Sequence, residues 1–531
     1  MKLSRRLLSA ALSIVMAACL FAPAFAESEG GVEGLPSELT IWSELGSWLV
    51  KAGNDIHASV AYEELERVTG TKINWIHPPA GTGVAEQFNL MIVSGDLPDI
   101  INYSWMTVTG GIQKYIDDGV IVDMTPYYDN GDMPYVERLF ADLPKIEKQV
   151  RQDNGAIYYM PSVRKDDELR IWNGPQIRVD WLEKVGMPIP DTVDDLYETL
   201  KAFKEQNVSD ADNFVPMMAG KFRTDTSQGL GQLLFSFNTT YDFLTDPTGT
   251  TAKYGPIEPE FKEGAAYIRK LVEEGLVDPN YVTNDRDIID AAMIADEAGF
   301  MFNTQVTKLA LLFEEHGIEN PLKPIPYLRG PNPTSELAPV FYSEAGANIM
   351  GGCLAVTTKA KDILSTVKWV DFNYSPTGEL IRNYGVEGVS YNLVDGEPIL
   401  TEIVTNNPQY DINTASAIYT PAKVSVFAGI QRYASWKQST HPDGVDCVVQ
   451  YMSRVDQSMI MPPTSMTGDE QAEYASLMTD ITTYFDETID RIILGQLPLE
   501  HLDAMADQMK AMGVERAIEL KQAALDRYNA R

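Results

Sequence analysis

Between residues 39 and 119 short apolar runs alternate with amphipathic stretches, and this alternation restricts the fold more than any other feature of the chain. Leu39-Thr40-Ile41-Trp42 predicts a strand. Ile56, Val60, Leu65 and Val68 follow at roughly helical spacing up to Gly70, and residues 71–76 predict a second strand. Phe88, Met91 and Ile92 lie on a helix that Gly95 stops, and Pro98-Asp99-Ile100-Ile101-Asn102-Tyr103 reads as a third strand. Ile112, Tyr115 and Ile116 mark a further helix before Gly119. Parallel neighbours need a long crossover and a helix supplies it, so a βαβαβα order implies a parallel sheet covered by helices. Ligands of such sheets sit beyond the carboxyl ends of the strands, where Trp42, Ser104 and Trp105 fall.

Farther along, residues 169–179 predict a strand. Thr192 opens a helix whose Val193, Leu196, Leu200 and Phe203 form one apolar face, with Asp195 at the capping-box position. A helix spans residues 259–274, Gly299-Phe300-Met301-Phe302-Asn303 is a strand candidate, and the last quarter is mainly helical. No repeat of fixed period occurs, and the length allows two to four domain-sized units.

Lys2, Arg5 and Arg6 precede an apolar run over residues 7–22, and Ala24-Phe25-Ala26 supplies a small-x-small cleavage pattern. Residues 1–26 are therefore expected to be a signal peptide, and the mature protein to work outside the cytoplasm. Met16-Ala17-Ala18-Cys19 loosely resembles a lipoprotein processing site, so an N-terminal lipid on Cys19 is the alternative to cleavage after Ala26. No second apolar run of about 18 residues follows, so membrane contact is expected only through that lipid. With 76 Asp plus Glu against 42 Lys plus Arg, nucleic acid and anionic lipid are disfavoured as ligands, because phosphate binding draws on cations. Beyond the signal only Cys353 and Cys447 remain, too few for a disulfide scaffold. Cys353 reads as a buried thiol, and a single bridge stays open.

The chain has no Gly-x-Ser-x-Gly, no His-Glu-x-x-His, no phosphate-cradling loop and no Cys-x-x-Cys, and its five His never pair at metal-ligand spacing. No catalytic residue and no metal ligand is assigned. Paired carboxylates leave no signature among so many acids, which keeps a secreted glycosidase or lyase as the alternative function. A sensor or adhesion lobe that binds sugar without an importer is a third. More telling are the rings near predicted strand ends and loops, namely Trp42, Trp48, Trp105, Trp172, Tyr342, Tyr384 and Trp436. Flat rings stack on the apolar face of a sugar while neighbouring polar groups meet its hydroxyls. Trp181 and Trp369 sit within helical patterns and are assigned to the core.

Gly155-Ala156-Ile157-Tyr158-Tyr159-Met160-Pro161 and the run from Ile177-Arg178-Val179-Asp180-Trp181 to Pro190-Asp191-Thr192 resemble the family 1 extracellular solute-binding proteins. So do Ser94-Gly95-Asp96-Leu97-Pro98-Asp99, Trp369-Val370-Asp371-Phe372 with Ser375-Pro376-Thr377-Gly378, and Asn383-Tyr384-Gly385-Val386-Glu387-Gly388. The long lipoprotein subgroup, which includes alginate-binding members, is most similar. The resemblance implies an α/β, two-lobed periplasmic-binding-protein type II fold, each lobe a mainly parallel sheet flanked by helices. It places residues 37–150 plus 300–350 in the N-lobe and 151–299 plus 351–531 in the C-lobe, with crossovers near 145–165, 300–303 and 349–354. It implies a monomer, not an enzyme, that captures an oligosaccharide between the lobes and delivers it to the permease subunits of an ABC importer. On that frame Trp42 and Trp105 form one wall of the site, and Trp172, Tyr384 and Trp436 the other. Tyr342 is a further ring candidate, and Arg170 and Arg223 offer planar forks of donors to hydroxyls or carboxylates. No cofactor is expected, with calcium as the alternative. Some long members carry a calcium loop where this chain has residues 207–216, which lack the Gly and terminal Glu of such a loop.

Overall fold

Two sheets organise the computed structural model, which describes residues 32–531 except 54–55, 80–81, 224–227, 305–306, 332–334, 342–345 and 425–426. The expectations for the signal peptide, for Cys19 and for Tyr342 lie outside the described residues. The strands that build these sheets are β1 (Glu38–Ser43), β2 (Lys72–Ile76), β3 (Ile100–Tyr103), β4 (Met160–Arg164), β5 (Asn173–Arg178), β6 (Val215–Met217), β7 (Ala298–Thr304), β8 (Leu322–Pro324), β9 (Ile349–Val356) and β10 (Gly429–Gln431).

The larger sheet has the order β10-β4-β9-β3-β1-β2. Side chains alternate along its strands, so each strand feeds two cores. Leu39, Ile41, Ile73, Ile100, Leu354 and Val356 join one cluster, while Trp42, Ile101, Cys353 and Ala355 join another on the opposite face. Burial on both faces explains why these strands read as apolar runs. The smaller sheet has the order β8-β5-β7-β6. Its β5 is buried throughout, and a Cβ on Gly174 would lie 2.6 Å from the Tyr451 ring, so only glycine fits there.

One rule accounts for strand direction in both sheets. In the larger sheet only β9 runs against its neighbours, and in the smaller only β5 does. Each is the strand through which the chain first enters that sheet from the other lobe, so it starts at the shared boundary while the others end there. Because β5 lies between β8 and β7, two of the three pairings in the smaller sheet are antiparallel, and the expectation of a mainly parallel sheet fails for that lobe. It holds for the larger one.

The lobe boundaries also differ from expectation. β7 and β8, within or beside residues 300–350, pair with β5 in the second lobe, whereas β4, β9 and β10 belong to the first. The chain crosses between β4 and β5, returns between Val340 and Ile349, and leaves again after β10. The similar apolar character of β7 and β9 hid this exchange, since either run would fill either core.

Several local expectations hold. Thr192 and Asp195 form a reciprocal capping box, and helix Val193–Glu205 buries Val193, Leu196, Leu200 and Phe203. Trp181 and Trp369 are fully buried. Cys353 and Cys447 are both buried and not joined in a disulfide, which closes the question of a bridge. Helices Gly468–Ile493, His501–Ala511 and Val514–Ala530 pack on the second lobe's core through Ile481, Phe485, Met505, Met509 and Ala517.

Candidate functional site

The three crossings leave the first lobe from β10, β4 and β9, which are neighbours in its sheet. They therefore run side by side, the arrangement of a narrow hinge. Hydrogen bonds lace them together: Arg164 N–H donates to Asn348 O (2.7 Å), Asn348 Nδ2 to Arg164 O (3.0 Å), and Lys165 N–H to Gln431 O (3.2 Å). Asp166 accepts from Tyr433 N–H (2.7 Å) and Arg432 Nε (3.3 Å), and Arg432 also donates to Glu379 (2.7 Å).

The ends of the two sheets at these crossings face one another. On the first lobe this rim carries Ser43 at the end of β1, Asn102 and Tyr103 at the end of β3, and Arg164 at the end of β4. A groove opens at the ends of β1 and β3, lined by Ser43, Glu44, Trp48, Leu49, Tyr62, Asn102 and Phe427, with about 550 Å³ of space counting its open mouth. Trp48 is half-buried, with Lys51 Nζ 4.2 Å from its ring centre. His77 Nδ1 lies 2.7 Å from Ser43 O. Tyr103 stacks flat on Phe88 with ring centres 3.9 Å apart, and desolvation pushes its hydroxyl pKa upward.

The second rim begins at Asn173, the first residue of β5, paired in register with Thr304 at the end of β7. Asn173 Nδ2 donates to Gln232 Oε1 (3.2 Å), and Gln228 Nε2 points to Asp290 Oδ1 (3.4 Å) and Asn303 Oδ1 (3.5 Å). Lys308 bridges Asp290 (3.1 Å) and Asp287 (2.7 Å). Amides thus dominate the second rim, where the first offers rings.

The predicted residues divide. Trp172, half-buried, and Arg170 sit in the first crossing directly before β5, at the junction of the two rims. Arg170 is paired with Asp167 (2.9 Å). Burial alone would raise the Asp167 carboxyl, but the bond from Lys145 and the charge of Arg170 outweigh it and hold its pKa below the ordinary value. Trp42 and Trp105 are not on a wall. Trp42 is buried against Phe88 and Tyr103, and Trp105 donates its Nε1 to Ile101 O (3.2 Å) inside the same aromatic cluster. Strand alternation is the reason: Ser43 takes the rim and turns Trp42 under the helix layer. Tyr384 packs on Tyr391 in a satellite cluster of the first lobe, and not on the second-lobe wall. Trp436 is buried with Leu169 and Val448, stacked on Tyr433, and so braces two crossings. Arg223 is ion-paired with Asp486 (3.2 Å) on the long C-terminal helix. Asn102, Asn173, Gln228 and Asn303 were missed. The available signal was a polar residue ending an apolar strand, as in Ile100-Ile101-Asn102 and Phe300-Met301-Phe302-Asn303.

A family model of bacterial extracellular solute-binding proteins matches residues 51–379, more than half of the chain. The chain belongs to that family. This solute-binding protein is 23% identical over 498 residues to the fructooligosaccharide ABC transporter substrate-binding protein FusA of Streptococcus pneumoniae, covering 90% of this chain and 88% of FusA. Among solved structures it resembles the alginate-binding protein AlgQ2 without calcium ion, with a TM-score of 0.68, 23% identity, and coverage of 92% and 98% of the two chains. It also resembles an HMO-binding solute-binding protein from Bifidobacterium longum infantis, with a TM-score of 0.73, 18% identity, and coverage of 93% and 99%. Both share its two-lobed fold over nearly their whole length. The family is one of solute binders rather than enzymes. Among the described residues of this solute-binding protein no helix is long and apolar enough to cross a membrane, and no three His, Cys, Asp or Glu are grouped to hold a metal ion.

Proposed function

We propose that this protein captures an oligosaccharide between its two lobes outside the cytoplasm and delivers it to the permease subunits of an ABC importer. One observation carries the proposal: two facing rims, one ring-lined and one amide-lined, are joined by three crossings that leave from adjacent strands. Rings suit the apolar face of a pyranose or furanose and amides suit its hydroxyls. FusA, named for fructooligosaccharide and an ABC transporter, supports both the ligand class and the partner.

The mechanism is reversible capture. A sugar that touches both rims binds the closed arrangement more tightly than the open one, and that difference in affinity moves the equilibrium toward closure. No covalent step and no cofactor is required. The proposed mature form begins after a signal peptide of residues 1–26, or at a lipidated Cys19, and acts as a monomer. The test is a thermal-shift titration of residues 27–531 against oligosaccharides, with each hit analysed for cleavage. A ligand that binds only the native state raises the melting temperature. A saturable rise with the sugar recovered intact supports capture. Cleavage would convert the reading to a glycosidase or lyase, and no shift with any oligosaccharide would remove sugar as the ligand class.

A further inference from the structure

We infer, building on the oligosaccharide reading, that the cleft selects neutral glycans over uronate-bearing ones. The decisive groups are two side-chain amide oxygens, Asn102 Oδ1 and Gln228 Oε1, that accept no hydrogen bond among the described residues, with the Asn173 amide beside them. Asn102, Asn173 and Gln228 are 7%, 3% and 2% exposed, so water in bulk does not serve them. Two of the amides have their orientation fixed by chemistry. Ser43 Oγ–H donates to Glu44 O (3.1 Å), so that oxygen accepts from Asn102 Nδ2 (3.0 Å) and Oδ1 must be the free end. Gln228 Nε2 faces the Asp290 carboxylate, which only accepts, and this leaves Oε1 free.

Buried acceptors without donors call for a ligand that donates. Sugar hydroxyls donate; a carboxylate cannot, and it would meet the negative end of each amide dipole. The charges point the same way. Among the described residues Glu44 is the one charged residue lining the groove. Arg170 is engaged by Asp167, Arg432 by Asp166 and Glu379, and Lys308 by Asp287 and Asp290. Lys51 beside the Trp48 ring, Arg164 and Lys165 at the end of β4, and the exposed Lys221 are the further cations near the rims.

Isothermal titration of the mature chain with neutral trimers and tetramers (kestose and its homologue, malto-, xylo- and manno-oligosaccharides) and with galacturonate and mannuronate oligomers tests the inference. At least one neutral sugar is expected to bind at least about tenfold more tightly than any uronate, the cost of leaving buried acceptors unmet. Asn102→Ala, checked for folding by its melting temperature, is expected to weaken the neutral sugar by about tenfold. Glu44→Gln, at an exposed position, is expected to narrow the gap between the two classes without loss of fold. Uronates binding as tightly as the best neutral sugar would overturn the inference and leave the oligosaccharide reading in place. Binding by neither class would overturn both.

Discussion

The first rim is a groove of rings and aliphatic side chains with one amide in its lining, whereas the second is a buried network of amides in which Lys308 is paired with Asp287 and Asp290. The difference teaches that stacking and hydroxyl recognition are separated onto different lobes. A sugar lying on the first rim alone keeps its hydroxyls in water; only closure brings them to the second. Division of labour of this kind couples affinity to closure, because neither half suffices.

The largest expected effect breaks the comparison within the first lobe, between its core rings and its groove ring. Trp105→Ala should cost about 3–5 kcal/mol of stability, read from a denaturant midpoint, as expected for a large side chain deleted from a packed core. Trp48→Ala should leave the midpoint nearly unchanged and weaken the sugar by about tenfold, or 1.4 kcal/mol. Should Trp105→Ala weaken binding with stability intact, the ring would belong to the site after all.

A smaller effect separates the lobes by pH. In the first lobe burial pushes Asp371 up to about 7, although it accepts from the Val136 N–H (2.8 Å) at the start of helix Pro134–Asp142. In the second, burial pushes Asp490 up to about 6, with a hydrogen bond from Tyr281 (2.9 Å). A raised carboxyl pKa means that the native state holds the proton longer than the unfolded chain. Each group therefore lowers stability as pH rises from the ordinary carboxylate range to its native value. Asp371→Asn should flatten the stability curve up to about pH 7, and Asp490→Asn only up to about pH 6. Melting temperatures across pH 4–8 read this directly, and equal curves for the two variants would contradict the difference. The smallest effect concerns Arg223. Its pair with Asp486 is partly exposed, so Arg223→Ala should change stability and affinity by less than about 1 kcal/mol.

Much of the fold was legible because periodicity is local. The βαβαβα order, the capping box at Thr192 and the core assignment of Trp181 and Trp369 depend on neighbours in sequence. Lobe membership of β7 and β9 was not legible, since either apolar run satisfies either sheet and only long-range pairing decides. The site suffered from the same limit at finer grain. Trp42 and Ser43 are adjacent, and a shift of one residue exchanges the rim for the core. Trp172 is expected on the second-lobe wall, within a strand over residues 169–179; β5 starts only at Asn173, which leaves Trp172 and Arg170 in the first crossing. The amides went unnoticed because one polar residue at a strand end resembles an ordinary turn until its partners are seen.

A crystal structure of the mature protein with a neutral oligosaccharide bound tests the central claim most directly. The account predicts the sugar between the lobes, with Trp48 and Asn102 against one side and hydrogen bonds to Asn173 or Gln228 on the other. A sugar held on one lobe alone, with the second rim's amides still unmet, would contradict it.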